Sequence, residues 1–237
     1  EDIVLLHLVG VEVVLVHGGG PEITETLKRM GKDSVFMNGL RVTDKETADV
    51  VQMVLAGKIY KTLVNLIECC GGKSMGLSGI DGHMIKSSVK DERLGFVGNI
   101  EEVNPQPVLD VLEKGYIPVV STIGCDDEGN VYNINADTAA AKIAVALGAE
   151  KFVQLTNVPG VLRDVNNPDS LIKRIAREAV PSMIATGVIS SGMIPKIDCC
   201  VEAVRRGVKR TCIIDGRVPH SILIELLSNE GIGTQFV

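Results

Sequence analysis

The stretch Asn133-Ile134-Asn135-Ala136-Asp137 lies at a seam in the chain. Upstream, Gly115-Tyr116-Ile117-Pro118-Val119-Val120-Ser121 reads as a buried strand. Downstream, Thr138-Ala139-Ala140-Ala141-Lys142-Ile143-Ala144-Val145-Ala146-Leu147 reads as an Ala-rich helix closed by Gly148. A helix start presents free N–H groups and a partial positive charge, so it suits anions. Asparagine both donates and accepts hydrogen bonds, and Asp137 can position positively charged groups or a metal. One Asn or Asp at such a seam is ordinary capping. Two Asn and an Asp at alternate positions point to a ligand as well.

The same strand-to-helix pattern recurs on both sides. The apolar run Val11 to Val16 predicts a buried strand that meets His17-Gly18-Gly19-Gly20-Pro21, and a helix follows from Glu22 to about Met30. Thr43 or Asp44 caps a helix reaching about Ala56, and Lys58 to Glu68 forms another, ended by Gly71-Gly72. Ser74 to Leu77 reads as a strand, His83 to Lys86 and Phe96 to Glu102 as antiparallel ribbons, and Pro107 to Lys114 as a helix. Beyond the Ala-rich helix come strands Phe152 to Leu155 and Thr211 to Ile214. Helices are expected near Glu178 to Thr186, about Pro195 to Arg206 and Pro219 to Leu227, and a short strand ends the chain. This alternation predicts an α/β fold, a three-layer αβα sandwich with a mainly parallel central sheet. No repeat or low-complexity linker divides the chain, so one domain is expected over 1–237.

Composition narrows the function. The 237 residues are enough for a full core. Apolar residues make up 45% and aromatics 3%, so that core is aliphatic, as in buried parallel sheets. The net charge of −6, without a long Lys or Arg run, disfavours nucleic acid. No apolar run is expected to span a membrane, and no signal peptide is visible. The six cysteines include two adjacent pairs and no C-x-x-C, which fits reduced thiols in a cytoplasmic protein rather than a zinc site or disulfide framework.

Three further motifs bear on chemistry. Gly18-Gly19-Gly20 at a strand-to-helix seam lets the backbone approach a ligand and turns successive N–H groups toward an anion. It is neither the Walker nor the dinucleotide fingerprint. Arg41, in the polar loop Asn38-Gly39-Leu40-Arg41-Val42-Thr43, offers a fork that suits a carboxylate. Lys196 follows Ser190-Ser191-Gly192-Met193-Ile194-Pro195 at a helix start, where a Lys can reach a transferring phosphate.

In order, His17-Gly-Gly-Gly-Pro, Asn38-Gly-Leu-Arg-Val-Thr, Leu94-Gly-Phe-Val-Gly, Asn133-Ile-Asn-Ala-Asp, Leu155-Thr-Asn-Val-Pro-Gly-Val and Gly192-Met-Ile-Pro-Lys196 resemble the N-acetylglutamate kinases of the amino-acid kinase superfamily. The resemblance covers essentially the whole chain. It implies an acyl-substrate half at about 1–150 and a nucleotide-binding half at about 151–237. It also implies phosphorylation of the γ-carboxylate of N-acetyl-L-glutamate by ATP with Mg²⁺, in arginine biosynthesis, with no tightly bound cofactor and no protein metal site. On this reading Gly19 and Gly20 donate N–H groups to the reacting anions, and Arg41, Asn133 and Asn135 hold the amino-acid substrate. Asp137 orients the phosphate-binding lysines, and Lys196 neutralises the transferring phosphoryl. Asn157, Val158, Pro159, Gly160, Val161 and Leu162 line the ATP site with Val188, Ile189 and Ser190.

Departures from the family pattern set further expectations. A strand carrying a Lys and then Gly-Gly precedes the family's equivalent of Glu1, so a truncated domain with weak or no turnover is expected. Asn157 replaces the family's usual Asp. Glu225 and Gly231 match positions that hold inhibitory arginine, whereas Cys212 stands where many arginine-sensitive members have His. A homodimer is expected, and a hexamer only with the N-terminal helix of sensitive members; a plastid location applies only to a photosynthetic eukaryote. The competing readings are a kinase for carbamate or another amino acid, and a catalytically dead arginine-sensing or partner-binding module. Arg41 argues against carbamate, which has no α-carboxylate to clamp.

Overall fold

Strand and helix alternate along the chain as its apolar periodicity requires, and a computed structural model describes residues 1–190 and 192–237. They form two compact units: Glu1 with Ile3–Ala140, and Asp2 with Ala141–Val237. Ser191, part of the loop quoted before Lys196, lies outside the described residues.

The first unit runs α1 (Asp2–Leu8), β1 (Leu15–His17), α2 (Gly20–Arg29), β2 (Phe36–Met37), β3 (Leu40–Arg41) and α3 (Lys45–Met53). A π-helical turn (Val54–Ile59) follows, then α4 (Tyr60–Cys69), β4 (Ser74–Ser78), β5 (Ile85–Val89), β6 (Gly98–Val103) and α5 (Gln106–Glu113). It continues with β7 (Ile117–Ser121), β8 (Ile123–Cys125), β9 (Val131–Asn133) and the start of α6 (Ala136–Ala146). Strands β1, β7 and β4 make a parallel sheet with β7 central. All five residues of β7 are buried, which explains its unbroken apolar character. A second sheet, in the order β6-β5-β8-β9, is antiparallel at both ends and brings Asn133 back toward the first.

Four expectations change. The ladder of β1 begins at Leu15, so the strand is shorter than the Val11 to Val16 run. Residues 123–133 form the β8–β9 hairpin, which carries too few alternating residues to stand out in the sequence. The helices expected before and after Gly57 are one continuous helix from Lys45 to Cys69, with the π turn at the join. By length and composition this helix could cross a membrane, contrary to the expectation that no run reaches a span. Its buried residues pack in the core of the first unit. Val50, Val51, Val54 and Leu55 pack with Ile23, Leu27 and Ile123, and Ile67 packs with Val4, Ile117 and Val119. Asp44 caps its start by accepting from Thr47 N at 2.9 Å.

The second unit continues from α6 with β10 (Lys151–Thr156), β11 (Arg174–Ile175), α7 (Val180–Ala185), α8 (Ile194–Arg205), β12 (Arg210–Asp215), α9 (Ser221–Leu227) and β13 (Thr234–Phe236). Its sheet has the order β10-β12-β13-β11. The β10–β12 and β11–β13 pairs are parallel, and β12–β13 is antiparallel. Ile213, Ile214, Ile197 and Phe236 are fully buried and supply much of its core.

Candidate active site

In the first unit a cavity of about 250 Å³ is lined by Gly18, Gly19, Gly20, Arg41, Asn133 and Asn135, together with apolar Leu55, Val97 and Ile134. Residues far apart in the chain thus face one space. Two features of the sheets bring them there. β1 ends at His17 and releases the glycines directly into α2, whose first residue is Gly20. β9 ends at Asn133, and the isolated bridge from Val97 to Asn133 ties that end to the Leu94–Gly98 motif.

The glycine loop is closely packed. A Cβ on Gly19 would lie 2.2 Å from Ile59 Cδ1 and 2.7 Å from Leu55 Cδ2, so any side chain there makes the ends of these two residues shift. His17 Nδ1 lies 3.0 Å from the Gly18 carbonyl oxygen. Burial pulls the imidazole below its ordinary pKa, against the opposing effect of that hydrogen bond, and so favours the neutral ring. Beyond the loop, Glu22 in the first turn of α2 pairs with Lys58 of the π turn.

Arg41 lies not in an open loop but on β3, behind a tight hairpin. Asn38 and Gly39 take φ values of 52° and 79°, the left-handed pair that joins two strands in a type I′ turn. The guanidinium is buried and donates to Ser34 Oγ at 2.5 Å, Thr24 Oγ1 at 2.8 Å and the Gly20 carbonyl at 2.9 Å. These bonds use three of roughly five N–H donors and leave the rest for a ligand. Arg41 also stands 4.8 Å over the Phe36 ring. Burial pulls its pKa down, yet an arginine starts high enough to stay charged.

The polar residues at the seam divide their tasks. Asn133 Nδ2 donates to Thr43 Oγ1 at 3.3 Å, and its backbone N–H donates to the Phe96 carbonyl at 2.8 Å. Asn135 accepts from Thr138 N at 3.0 Å and from Thr138 Oγ1 at 3.1 Å, which is a helix cap. Asn135 therefore combines capping with a place on the cavity wall. Asp137 stands in the first turn of α6. Sequence reasoning missed Ser34, Thr24, Thr43 and Leu55, which hold or shape the site. Single hydroxyl residues in a helix or a loop, and one leucine within an apolar helix, carry no pattern that marks them.

The remaining predicted residues belong to the second unit. Lys196 is in the first turn of α8, and its N–H donates to the Met193 carbonyl at 3.1 Å. Asn157 to Leu162 follow β10 as a loop pinned at both ends. Val158 N donates to Thr156 Oγ1 at 3.2 Å, and Val161 N donates to Thr234 Oγ1 at 2.8 Å. Leu162 forms a bridge with Leu171. Ile189, beside Val188, is buried and donates its N–H to the Met183 carbonyl at 3.1 Å; the Ser190 carbonyl accepts from Met193 N at 2.9 Å. Glu225 is also buried, and its carboxylate accepts from Ile232 N at 2.9 Å, Gly233 N at 3.2 Å and Gln235 Nε2 at 2.8 Å. The Gly231 carbonyl accepts from Lys173 Nζ at 3.2 Å. Burial, with Glu225 adding to it, pushes the Cys212 thiol far up.

Parallel strands that end in glycine and asparagine turns, beside a buried arginine, make up this site, and residues 1–215 match the amino acid kinase family. The chain belongs to that family. It is 53% identical over 238 residues to the acetylglutamate kinase of Brachyspira hyodysenteriae, covering 100% of this chain and 83% of that one. Among solved structures it resembles smu.665 of Streptococcus mutans, with 31% identity, a TM-score of 0.83, and coverage of 98% of this chain and 88% of that one. It also resembles the N-acetylglutamate synthase of Neisseria gonorrhoeae complexed with coenzyme A and L-arginine, with 26% identity and a TM-score of 0.82 over 100% of this chain and 56% of that one.

Proposed function

We infer that the chain catalyses ATP-dependent phosphorylation of N-acetyl-L-glutamate, a step of arginine biosynthesis. The observation that carries this reading is the cavity of the first unit, where three glycines, a buried Arg fork and two asparagines face one space. A γ-carboxylate oxygen attacks the γ-phosphorus of ATP. The bond from that phosphorus to the β,γ-bridging oxygen breaks, ADP leaves, and an acyl phosphate forms. No protein nucleophile is required, because two anions need only alignment and charge neutralisation.

Each residue has a role in this scheme. Gly19 and Gly20, at the start of α2, donate N–H groups to the phosphoryl and the attacking carboxylate. Arg41 holds the α-carboxylate with its remaining donors, and Asn133 and Asn135 bind the acetamido-glutamate body. Lys196 neutralises charge that builds on the transferring phosphoryl, and the family resemblance gives Asp137 the orienting of phosphate-binding lysines. Asn157 to Leu162 and Val188 to Ser190 line the nucleotide, which arrives as its magnesium complex. We further place arginine inhibition at Glu225 and Gly231, a reading supported by the similarity to a synthase complexed with L-arginine. We propose a homodimer in the cytoplasm; all six cysteines are free, as a reducing compartment keeps them.

The test is trapping of the acyl phosphate with hydroxylamine, with ATP and either N-acetyl-L-glutamate or carbamate. More hydroxamate from N-acetyl-L-glutamate than from carbamate is expected, however slow the turnover. Turnover of carbamate alone would remove this assignment, and light scattering checks the dimer.

A further inference from the structure

We propose that His17 is a positioning residue that aims the Gly19 N–H into the cavity by holding the Gly18 carbonyl, which points the opposite way across their shared peptide bond. The inference rests on the reading above that Gly19 N–H is a donor to the reacting anions.

The tautomer of the ring comes first. His17 Nδ1 lies 3.0 Å from Gly18 O. A carbonyl oxygen can only accept, so Nδ1 carries the proton. The other ring nitrogen, Nε2, is buried with no hydrogen-bond partner among the described residues. In this tautomer Nε2 is an unpaired acceptor. The alternative would bury an unpaired N–H and set two lone pairs against each other, and orphaned buried N–H groups are the rarer case. Geometry and satisfaction therefore select the same tautomer.

The link from ring to loop is covalent. The peptide joining Gly18 to Gly19 is trans, as no cis bond occurs among the described residues. A trans peptide is planar, with its C=O and N–H pointing opposite ways. Fixing the Gly18 oxygen therefore fixes the direction of the Gly19 hydrogen. Glycines on both sides leave this peptide free to flip unless something holds it. The neighbouring backbone is anchored already, because His17 pairs with Ser121 in the parallel ladder and Thr122 Oγ1 donates to the His17 carbonyl at 3.3 Å. The imidazole thus extends the rigidity of β1 by one peptide, into the loop itself.

Two arms test this on the full chain. In the first, ¹⁵N-histidine NMR of the unsubstituted protein should show neutral His17 protonated at Nδ1; an Nε2-protonated ring would overturn the inference. This arm does not depend on turnover, so it stands even if the assigned reaction fails. In the second, His17→Phe keeps the ring shape and removes the donor. It should lower kcat roughly tenfold to a hundredfold, while KM for N-acetyl-L-glutamate stays within about twofold. His17→Asn, whose amide nitrogen can occupy the Nδ1 position, should recover most of the loss. Wild-type kcat in folded His17→Phe, or no recovery in folded His17→Asn, would overturn the inference.

Discussion

The candidate substrate cavity of the first unit and the candidate nucleotide loop of the second are built differently. In the cavity, charged and polar side chains hold one another and the backbone: Arg41 ties Ser34, Thr24 and the Gly20 carbonyl together. In the loop after β10, shape comes from backbone amides bonded to two threonines, Thr156 and Thr234. On the reading proposed above, the first arrangement offers a small amino acid a charged wall of side chains, and the second offers the nucleotide a backbone surface. Substitutions should therefore act on amino-acid binding and catalysis through side chains in the first unit, and on nucleotide binding through backbone support in the second.

Lys196 is the exception in the second unit, and the largest effect is expected there. It stands in the first turn of α8. Lys196→Ala should lower kcat by about 10²- to 10³-fold, the usual loss for one electrostatic donor to a transition state. KM for both substrates should change little. Steady-state kinetics checks this, and an unchanged kcat would leave the second unit with backbone roles only.

Gly19→Ala tests the first unit's packing. The new Cβ would overlap Ile59 and Leu55, and overpacking of this kind costs about 1–3 kcal/mol. Because the glycine loop would shift, kcat should fall as well as thermal stability. Ile59→Ala in the same chain should restore space and recover part of both. If Gly19→Ala alone matches the unsubstituted protein in denaturation and turnover, the π turn does not constrain the loop.

The sequence was legible where a residue's role is backbone geometry at a seam. Gly18-Gly19-Gly20 after an apolar run and Asn133-Ile-Asn-Ala-Asp before an Ala-rich helix each mark a strand end; the three glycines and Asn133 to Ala136 line the cavity, and Asp137 does not. The stretch after β7 was opaque, since β8 and β9, at three residues each, leave no periodicity to read. The break assumed at Gly57 failed for another reason. Glycine disfavours a helix by only about 1 kcal/mol, and the buried faces on either side outweigh that. Asn135 shows that one side chain can satisfy two readings, as it caps α6 and lines the cavity.

The smallest effect should separate support from contact in the second unit. Thr234 is fully buried; its hydroxyl accepts from Val161 N at 2.8 Å and donates to the Ile172 carbonyl at 2.7 Å. Valine matches its shape but can make neither bond, so Thr234→Val leaves a buried N–H unpaired at a cost of about 1–3 kcal/mol. The loop residues Asn157 to Leu162 lose one of their anchors and keep every side chain. Equilibrium denaturation should report the destabilisation, and KM for ATP should rise severalfold, with KM for N-acetyl-L-glutamate unchanged. A rise in the amino-acid KM instead would mean that the two sites are not separately supported, and the contrast drawn between them would fail.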